Sequence, residues 1–338
     1  MPTPKNLRVV ITRQGGPEVL QLVEEEIPPV PPGHVGVKVF ATGVAFADVL
    51  MRRGLYPKTP AFPFSPGYDI VGEVHSLGEG VNEFRLGERV AALTMIGGYS
   101  QYAAVPAAHL VRVPEGLDAA EAVSLVLNYV TAYQMMQRVA KLSEGQAMLV
   151  HSAAGGVGTA ALQPGKKLKL RMFGTASKPK HELIHSLRAT PIDYRSEDFR
   201  EVVRRALPGG LDCVLDPIGG IHWWESYRCL RSAGNLVCYG AQAAVSEGKG
   251  AAALGFALLG LIKVLPDGRR ASWYNVKLLR DAKPEWFRED LSRLFEMLAA
   301  RQIQPVIAGK LPLRGAARAN GLLEAAQVAG KLVLLPQE

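Results

Sequence analysis

Apolar positions along this chain change their spacing twice. Before about residue 123 they come in short runs broken by glycine and proline, which predict strands at Leu7–Thr12, Val35–Thr42, Gly67–Leu77, Arg89–Leu93 and Tyr99–Val105. Ala119–Lys141 then reads as helical. From 147 to 240 strand and helix alternate. Ala147-Met148-Leu149-Val150-His151 predicts a buried parallel strand, residues 156–168 a helix, and Leu170-Arg171-Met172-Phe173-Gly174 a second strand. Ser196–Ala206 predicts another helix, and Asp212–Asp216 and Asn235–Tyr239 two further strands. Such alternation implies a parallel sheet covered on both faces. Pro284 opens an amphipathic helix whose Leu291, Leu294, Phe295 and Leu298 share a face, and Lys331–Leu335 closes the chain as a strand. The fold class is therefore α/β, a doubly wound parallel sheet beside a β-rich part. Pro164-Gly165 falls inside the helix predicted at 156–168, where proline costs roughly 3 kcal/mol, so a kink or an early end is expected there.

The 338 residues suffice for two domains of ordinary size, and 48% hydrophobic with 21% charged residues describes a soluble globular protein. The net charge of +8 raises the question of nucleic acid, but the basic residues are scattered and no zinc-finger or aromatic RNA-binding pattern accompanies them. The densest run, Lys166–Arg171, covers a helix end, where cations are stabilising. Cys213, Cys229 and Cys238 lack C-x-x-C spacing, which favours a reducing, cytoplasmic setting. The N-terminus carries no signal-peptide apolar region. Gly250–Ile262 is the most apolar stretch, yet about 13 residues are too few for a bilayer of roughly 30 Å. No transmembrane segment is expected, and that stretch reads as core cover or pocket lining.

Candidate chemistry centres on HSAAGGVG at 151–158. Ala153, Gly155 and Gly158 occupy the three small positions of the G-x-G-x-x-G pattern between a strand and a helix, where the turn is tight and the backbone approaches a pyrophosphate. The free N–H groups of the turn and helix start, at Gly155, Gly156, Val157 and Gly158, would meet the phosphates. A purely structural turn is the alternative. An enzyme built for NAD places Asp or Glu about twenty residues later. Here the stretch is Thr175-Ala176-Ser177-Lys178-Pro179-Lys180, without an acid, which suits a 2′-phosphate and so NADPH. The alternative is that the lysines only solvate a loop.

Several segments carry a resemblance to the medium-chain dehydrogenase/reductase superfamily, in its zinc-independent quinone oxidoreductase branch. They are GVAFADVLMRRGLYP (43–57), PFSPGYDIVGEV (63–74), GVNEFRLGERVAAL (80–93), LVLNYVTAY (125–133), the glycine turn, FGTASKPKHE (173–182), DPIGG (216–220) and GKLVLLP (330–336). Within the branch the chain is similar to the vesicle amine transport protein 1-like reductases. The resemblance implies a GroES-like catalytic domain over 1–123 and 266–338, with a Rossmann NADPH-binding domain over 124–265. Zinc-bearing members place Cys and His where this chain has Ala45 and Tyr68, and no cysteine lies in 88–112, so no metal is expected.

Without a Lewis acid, hydride transfer suits an acceptor that already delocalises charge, a quinone or an α,β-unsaturated carbonyl. The resemblance points to Tyr56 and Tyr68 as catalytic hydrogen-bond donors, each with domain-seam packing as its alternative. Relatives commonly carry Asn at the place of Ala45. For the cofactor it implies Asn128 and Thr131 near the nicotinamide, and Ser177, Lys178, Lys180 and Tyr194 around the 2′-phosphate. Gly240 and Ala241 would lie under the ribose. His151, His181 and His222 belong to no catalytic motif of the family and read as structural. Relatives form homodimers by joining sheet edges, and the segment Ala271–Val276 is the candidate joining strand. Three function classes stay open: an NADPH-dependent reductase of small-molecule electron acceptors, an enoyl-thioester reductase, and a non-catalytic nucleotide-binding protein with a lipid or protein partner.

Overall fold

The computed structural model describes residues 5–338, which divide into two compact units. One comprises the chain up to Val130 together with Lys277–Glu338; the other is Thr131–Val276.

The first unit begins with β1 (Lys5–Ile11) and β2 (Leu20–Glu26), an antiparallel pair. It continues with β3 (His34–Gly43), β4 (Ile70–Leu77), β5 (Arg89–Ala92), β6 (Tyr102–Pro106) and β7 (Leu110–Arg112). The second unit supplies β8 (Ala147–Val150), β9 (Arg171–Ala176), β10 (Ala189–Asp193), β11 (Leu211–Asp216), β12 (Leu230–Cys238) and β13 (Arg270–Trp273). The chain then returns to the first unit as β14 (Ile307–Pro312) and β15 (Lys331–Leu335).

In the first unit the sheet runs β14-β15-β3-β4-β5-β7, with β6 also paired to β3. Val35, Val37, Val39, Ile70, Val90 and Val105 form part of its core, because alternate positions of β-branched strands face the same side. Both chain ends contribute, since β15 pairs antiparallel with β3. In the second unit all strands are parallel, in the order β10-β9-β8-β11-β12-β13. This is the dinucleotide-binding order, with its reversal between β8 and β11. Every residue of β8 is buried, as a strand covered on both faces requires.

Four expectations change. The domain return expected at 266 comes after Val276, because β13 pairs in parallel with β12 and so belongs to the parallel sheet. The helix after the glycine turn runs unbroken from Gly156 to Lys167 with Pro164 inside it. There the Met172 sulfur fills the space that a Cβ on Gly165 would need, so the helix lies tightly on β9. The helix Lys249–Ile262 covers the core from one side only, burying Ala251, Gly255, Leu259 and Ile262 and packing Phe256 on the rings of Trp223 and Trp273, while Leu254 and Leu261 face out. The helix over 119–139 contains two widened turns, Leu125–Tyr129 and Met135–Val139. Such bulges concentrate at functional sites, and the first carries Asn128.

Candidate functional site

In the second unit, the cofactor residues named from the sequence gather at the carboxyl end of the parallel sheet. After β8 the chain turns at His151, and Ser152 adopts the left-handed conformation with φ 53°. Gly155 donates its N–H to the Ser152 carbonyl, 2.9 Å, which closes the turn. This corrects the expectation that Gly155 offers that N–H to a ligand. The helix begins at Gly156, so the N–H groups of Gly156, Val157 and Gly158 have no intrahelical acceptor. A Cβ on Gly158 would stand 2.5 Å from the Ala153 carbonyl oxygen, so only glycine permits this crossing of helix and turn.

Strands β9 and β10 pair Ala176 with Asp193, so Ser177 and Tyr194 leave the sheet side by side. Ser177 caps a short turn, Lys178–Lys180, in which Lys178 is exposed and Lys180 half-buried. Burial, and then the Arg195 guanidinium, pull the Lys180 ammonium below its ordinary range. Arg195 lies 5.7 Å from the centre of the Tyr194 ring, which is 53% exposed. Two cations therefore lie near each other beside a stretch, Thr175–Lys180, that holds no carboxylate, while Asp193 accepts the Arg195 N–H at 3.1 Å. Arg195, which directly follows Tyr194, is a neighbour of Lys180 that sequence reasoning did not name.

On the other side of the sheet reversal, Gly240 and Ala241 follow β12. A Cβ on Gly240 would meet the Pro217 carbonyl at 2.6 Å, so the loop after β11 abuts the loop after β12. Ser152 donates from Oγ to Gln242 Oε1, 3.1 Å, tying the glycine turn to that loop. Thr131, at the start of this unit, keeps a buried hydroxyl without a hydrogen-bond partner. The open helix N-terminus at Gly156 and the two cations after β9 and β10 are groups that fit a phosphorylated dinucleotide.

The first unit holds Asn128, buried, and the other candidates. Tyr56 and Tyr68 place their hydroxyl oxygens 2.7 Å apart. Burial raises the Tyr68 phenol well above its ordinary range, with Tyr56 adding to the effect, so Tyr68 stays protonated. Ala45 starts the helix Phe46–Arg52, and its N–H donates to Asp48 Oδ2, 2.9 Å. Asp48 also accepts from the Tyr99 hydroxyl at 3.0 Å and from the Gly67 N–H at 3.2 Å. Burial pushes its carboxyl up to about 6. Asp69 accepts from the Gly43 N–H and from Lys331 Nζ, each at 2.9 Å.

This donor set does not fit a catalytic zinc. Position 45 offers a methyl group and position 68 a protonated phenol, whereas zinc takes thiolate, imidazole or free carboxylate. Both nearby carboxylates are already engaged, and Lys331 brings the positive charge to Asp69.

Residues 31–115 match the family model for the alcohol dehydrogenase GroES-like domain, and residues 187–334 that for zinc-binding dehydrogenase. The synaptic vesicle membrane protein VAT-1 homolog of Mus musculus is 33% identical over 97% of this chain and 83% of its own length. Its namesake from Danio rerio is 41% identical over 69% of this chain, a match that spans about half (49%) of that protein. Quinone oxidoreductase of Homo sapiens is 27% identical over 95% of each chain. A mycobacterial structure solved as a complex with NADPH superimposes with a TM-score of 0.84 at 27% identity, over 98% of this chain and 100% of that one.

Proposed function

This chain belongs to the medium-chain dehydrogenase/reductase superfamily, in its quinone oxidoreductase branch, and we propose that it reduces quinones or α,β-unsaturated carbonyl compounds with NADPH. The observation that carries the cofactor is at the ends of β9 and β10, where Ser177 and Tyr194 follow the paired Ala176 and Asp193, the Arg195 charge acts on Lys180, and the stretch Thr175–Lys180 contains no acid. Lys178 is an outer contributor. Gly156, Val157 and Gly158 would hold the pyrophosphate, with Ala153 and Gly155 shaping the turn. Asn128, Thr131, Gly240 and Ala241 would border the nicotinamide end. The bound cofactor would supply hydride.

The acceptor follows from what the first unit offers. Tyr68, held protonated by burial, can donate to the Tyr56 oxygen, which leaves the Tyr56 hydroxyl to donate to a substrate oxygen. Hydrogen bonding of this kind stabilises an oxygen that gains charge only as hydride arrives, as the oxygen of an enone or quinone does. An alcohol lacks such an oxygen, and the donor set about Ala45 and Tyr68 does not suit a zinc ion that could assist it. The homodimer would form through the exposed edge strand β13. The decisive experiment follows NADPH oxidation at the nicotinamide absorbance against quinones, enones and acyl thioesters. Turnover of quinones or enones is expected; turnover confined to acyl thioesters would replace this reading with the enoyl-thioester one.

A further inference from the structure

Beneath the glycine-rich turn lies a buried group of side chains that the proposed chemistry does not use. Asp216, the last residue of β11, is wholly buried. Its Oδ2 accepts from His222 Nδ1 at 2.7 Å and from the Ser226 hydroxyl at 2.6 Å, and its Oδ1 accepts from the Ile218 N–H at 2.7 Å. Ser226 Oγ lies 3.1 Å from His151 Nε2, and His151 Nδ1 lies 3.1 Å from Thr175 Oγ1. Thr175 Oγ1 also accepts the Ser152 N–H at 3.3 Å, and its carbonyl accepts the Ala153 N–H at 3.0 Å.

Proton counting gives this chain one direction. An ionised carboxylate only accepts, so Ser226 spends its single proton on Asp216. His151 must then donate from Nε2 to Ser226, which leaves Nδ1 to accept from the Thr175 hydroxyl. That requires a neutral His151, and burial, then the neighbouring His222, hold it so, lowering its pKa to about 3. The same aspartate anchors the opposite loop through its main chain. Its carbonyl accepts the Tyr239 N–H at 3.1 Å, and the next carbonyl, of Pro217, accepts the Gln242 N–H at 3.0 Å. The Ser152–Gln242 hydrogen bond closes the circuit. A serine held at positive φ persists only where its neighbours over-determine it, and here three partners do.

We infer that Asp216 is a positioning residue that locks the glycine turn to the Gly240–Gln242 loop, and that His222 sets the charge of this lock. The inference rests on the nucleotide reading above. The imidazoles of His151 and His222 lie 4.3 Å apart and Phe199 packs against both rings, so little water screens the group. His151, Asp216 and His222 also lie within 4.8 Å of one another, as ligands of a cation would, but both Asp216 oxygens and both His151 nitrogens already have protein partners.

With His222 protonated, the Asp216–His222 pair is neutral. With His222 neutral, an uncompensated negative charge sits under the turn that receives a pyrophosphate. Cofactor affinity therefore falls as pH rises through the titration of His222. Burial opposes the His222 charge, but Asp216 and Glu225 outweigh both it and Arg200, and raise the imidazole above its ordinary range.

The test is NADPH binding, read by tryptophan fluorescence from about pH 6 to about pH 9, in the wild type, His222→Asn and His222→Leu. Asparagine keeps a donor for Asp216 and removes the charge. The wild-type Kd is expected to rise about threefold or more across the range, while the His222→Asn Kd follows only the titration of NADPH itself. His222→Leu is expected to weaken binding throughout. Parallel pH profiles for the wild type and His222→Asn would overturn the charge role, and wild-type affinity in His222→Leu would overturn the lock. Absence of NADPH binding by the wild type at every pH would instead remove the nucleotide reading, and this inference with it.

Discussion

The hydroxyl oxygens of Tyr56 and Tyr68 stand 2.7 Å apart, so two phenols share one proton position in the GroES-like unit. Tyr68 is buried and Tyr56 half-buried. Their separation sets the first prediction. Tyr56→Phe removes the outer donor and is expected to lower kcat by about 100-fold, the scale for one oxyanion donor. NADPH affinity should stay the same. Steady-state kinetics with a quinone or enone check this, and an unchanged kcat would return the pair to a packing role.

NADPH is expected to bind at least tenfold more tightly than NADH, about 1.4 kcal/mol. Lys180→Ala and Arg195→Ala should each narrow that gap, because each removes a cation from the expected 2′-phosphate site. Fluorescence titration with both cofactors decides the matter, and equal affinities in the wild type would rule the preference out.

Lys331 and Asp69 form an ion pair at 2.9 Å with both side chains almost fully buried. Lys331→Met leaves a buried carboxylate without its cation, which costs about 3–5 kcal/mol. Chemical denaturation should show a loss of that size, and a much smaller loss would mean that water reaches Asp69. The same pairing predicts that the purified protein contains no stoichiometric zinc and that a chelator leaves turnover unchanged. One zinc per chain by elemental analysis would contradict the donor-set argument.

Asp48 gives a pH signature of stability. Burial raises its folded carboxyl to about 6, against three donors that favour the charged form. The unfolded chain releases this proton near the ordinary aspartate value of about 3.9, so between there and about 6 the folded chain binds more protons. Stability from this group therefore falls as pH rises through that window and is lowest above it. Urea denaturation of the wild type and Asp48→Asn at several pH values isolates the effect. The wild type should lose ground relative to the variant as pH climbs, and a constant difference would refute the assignment.

Strand β13, Arg270–Trp273, is an edge of the parallel sheet and pairs only with β12 among the described strands. An uncovered edge invites a second copy. Light scattering at micromolar concentration is expected to give a mass near twice 36.4 kDa. A monomer mass would show that the edge is protected in another way.

Much of the fold is legible in the order of residues along the chain. The alternation between 147 and 240, the small residues at 153, 155 and 158, and the missing acid in 175–180 are local patterns. A parallel strand buried on both faces must be apolar throughout, and a turn that crosses a helix must lack side chains. Strands β2, β7, β10 and β14 escape notice because they are short or carry charged and proline residues. Pro164 misleads because a buried helix held by packing tolerates one missing hydrogen bond that an isolated helix would not.

The candidate site divides along the same line. Its residue types, and the loss of zinc ligands at 45 and 68, are properties of single positions, and the sequence by itself determined them. Which groups meet is a property of the folded chain. Lys331 reaches Asp69 across 262 residues, Ser226 reaches His151 across 75, and Ser152 reaches Gln242 across 90. No local period encodes these encounters. They arise because β15 joins β3 and because β8 lies between β9 and β11, and sheet pairing alone brings distant side chains within bonding range. The tertiary structure thereby decided which carboxylates lie against a lysine or a histidine, and which phenols and hydroxyls pair with one another.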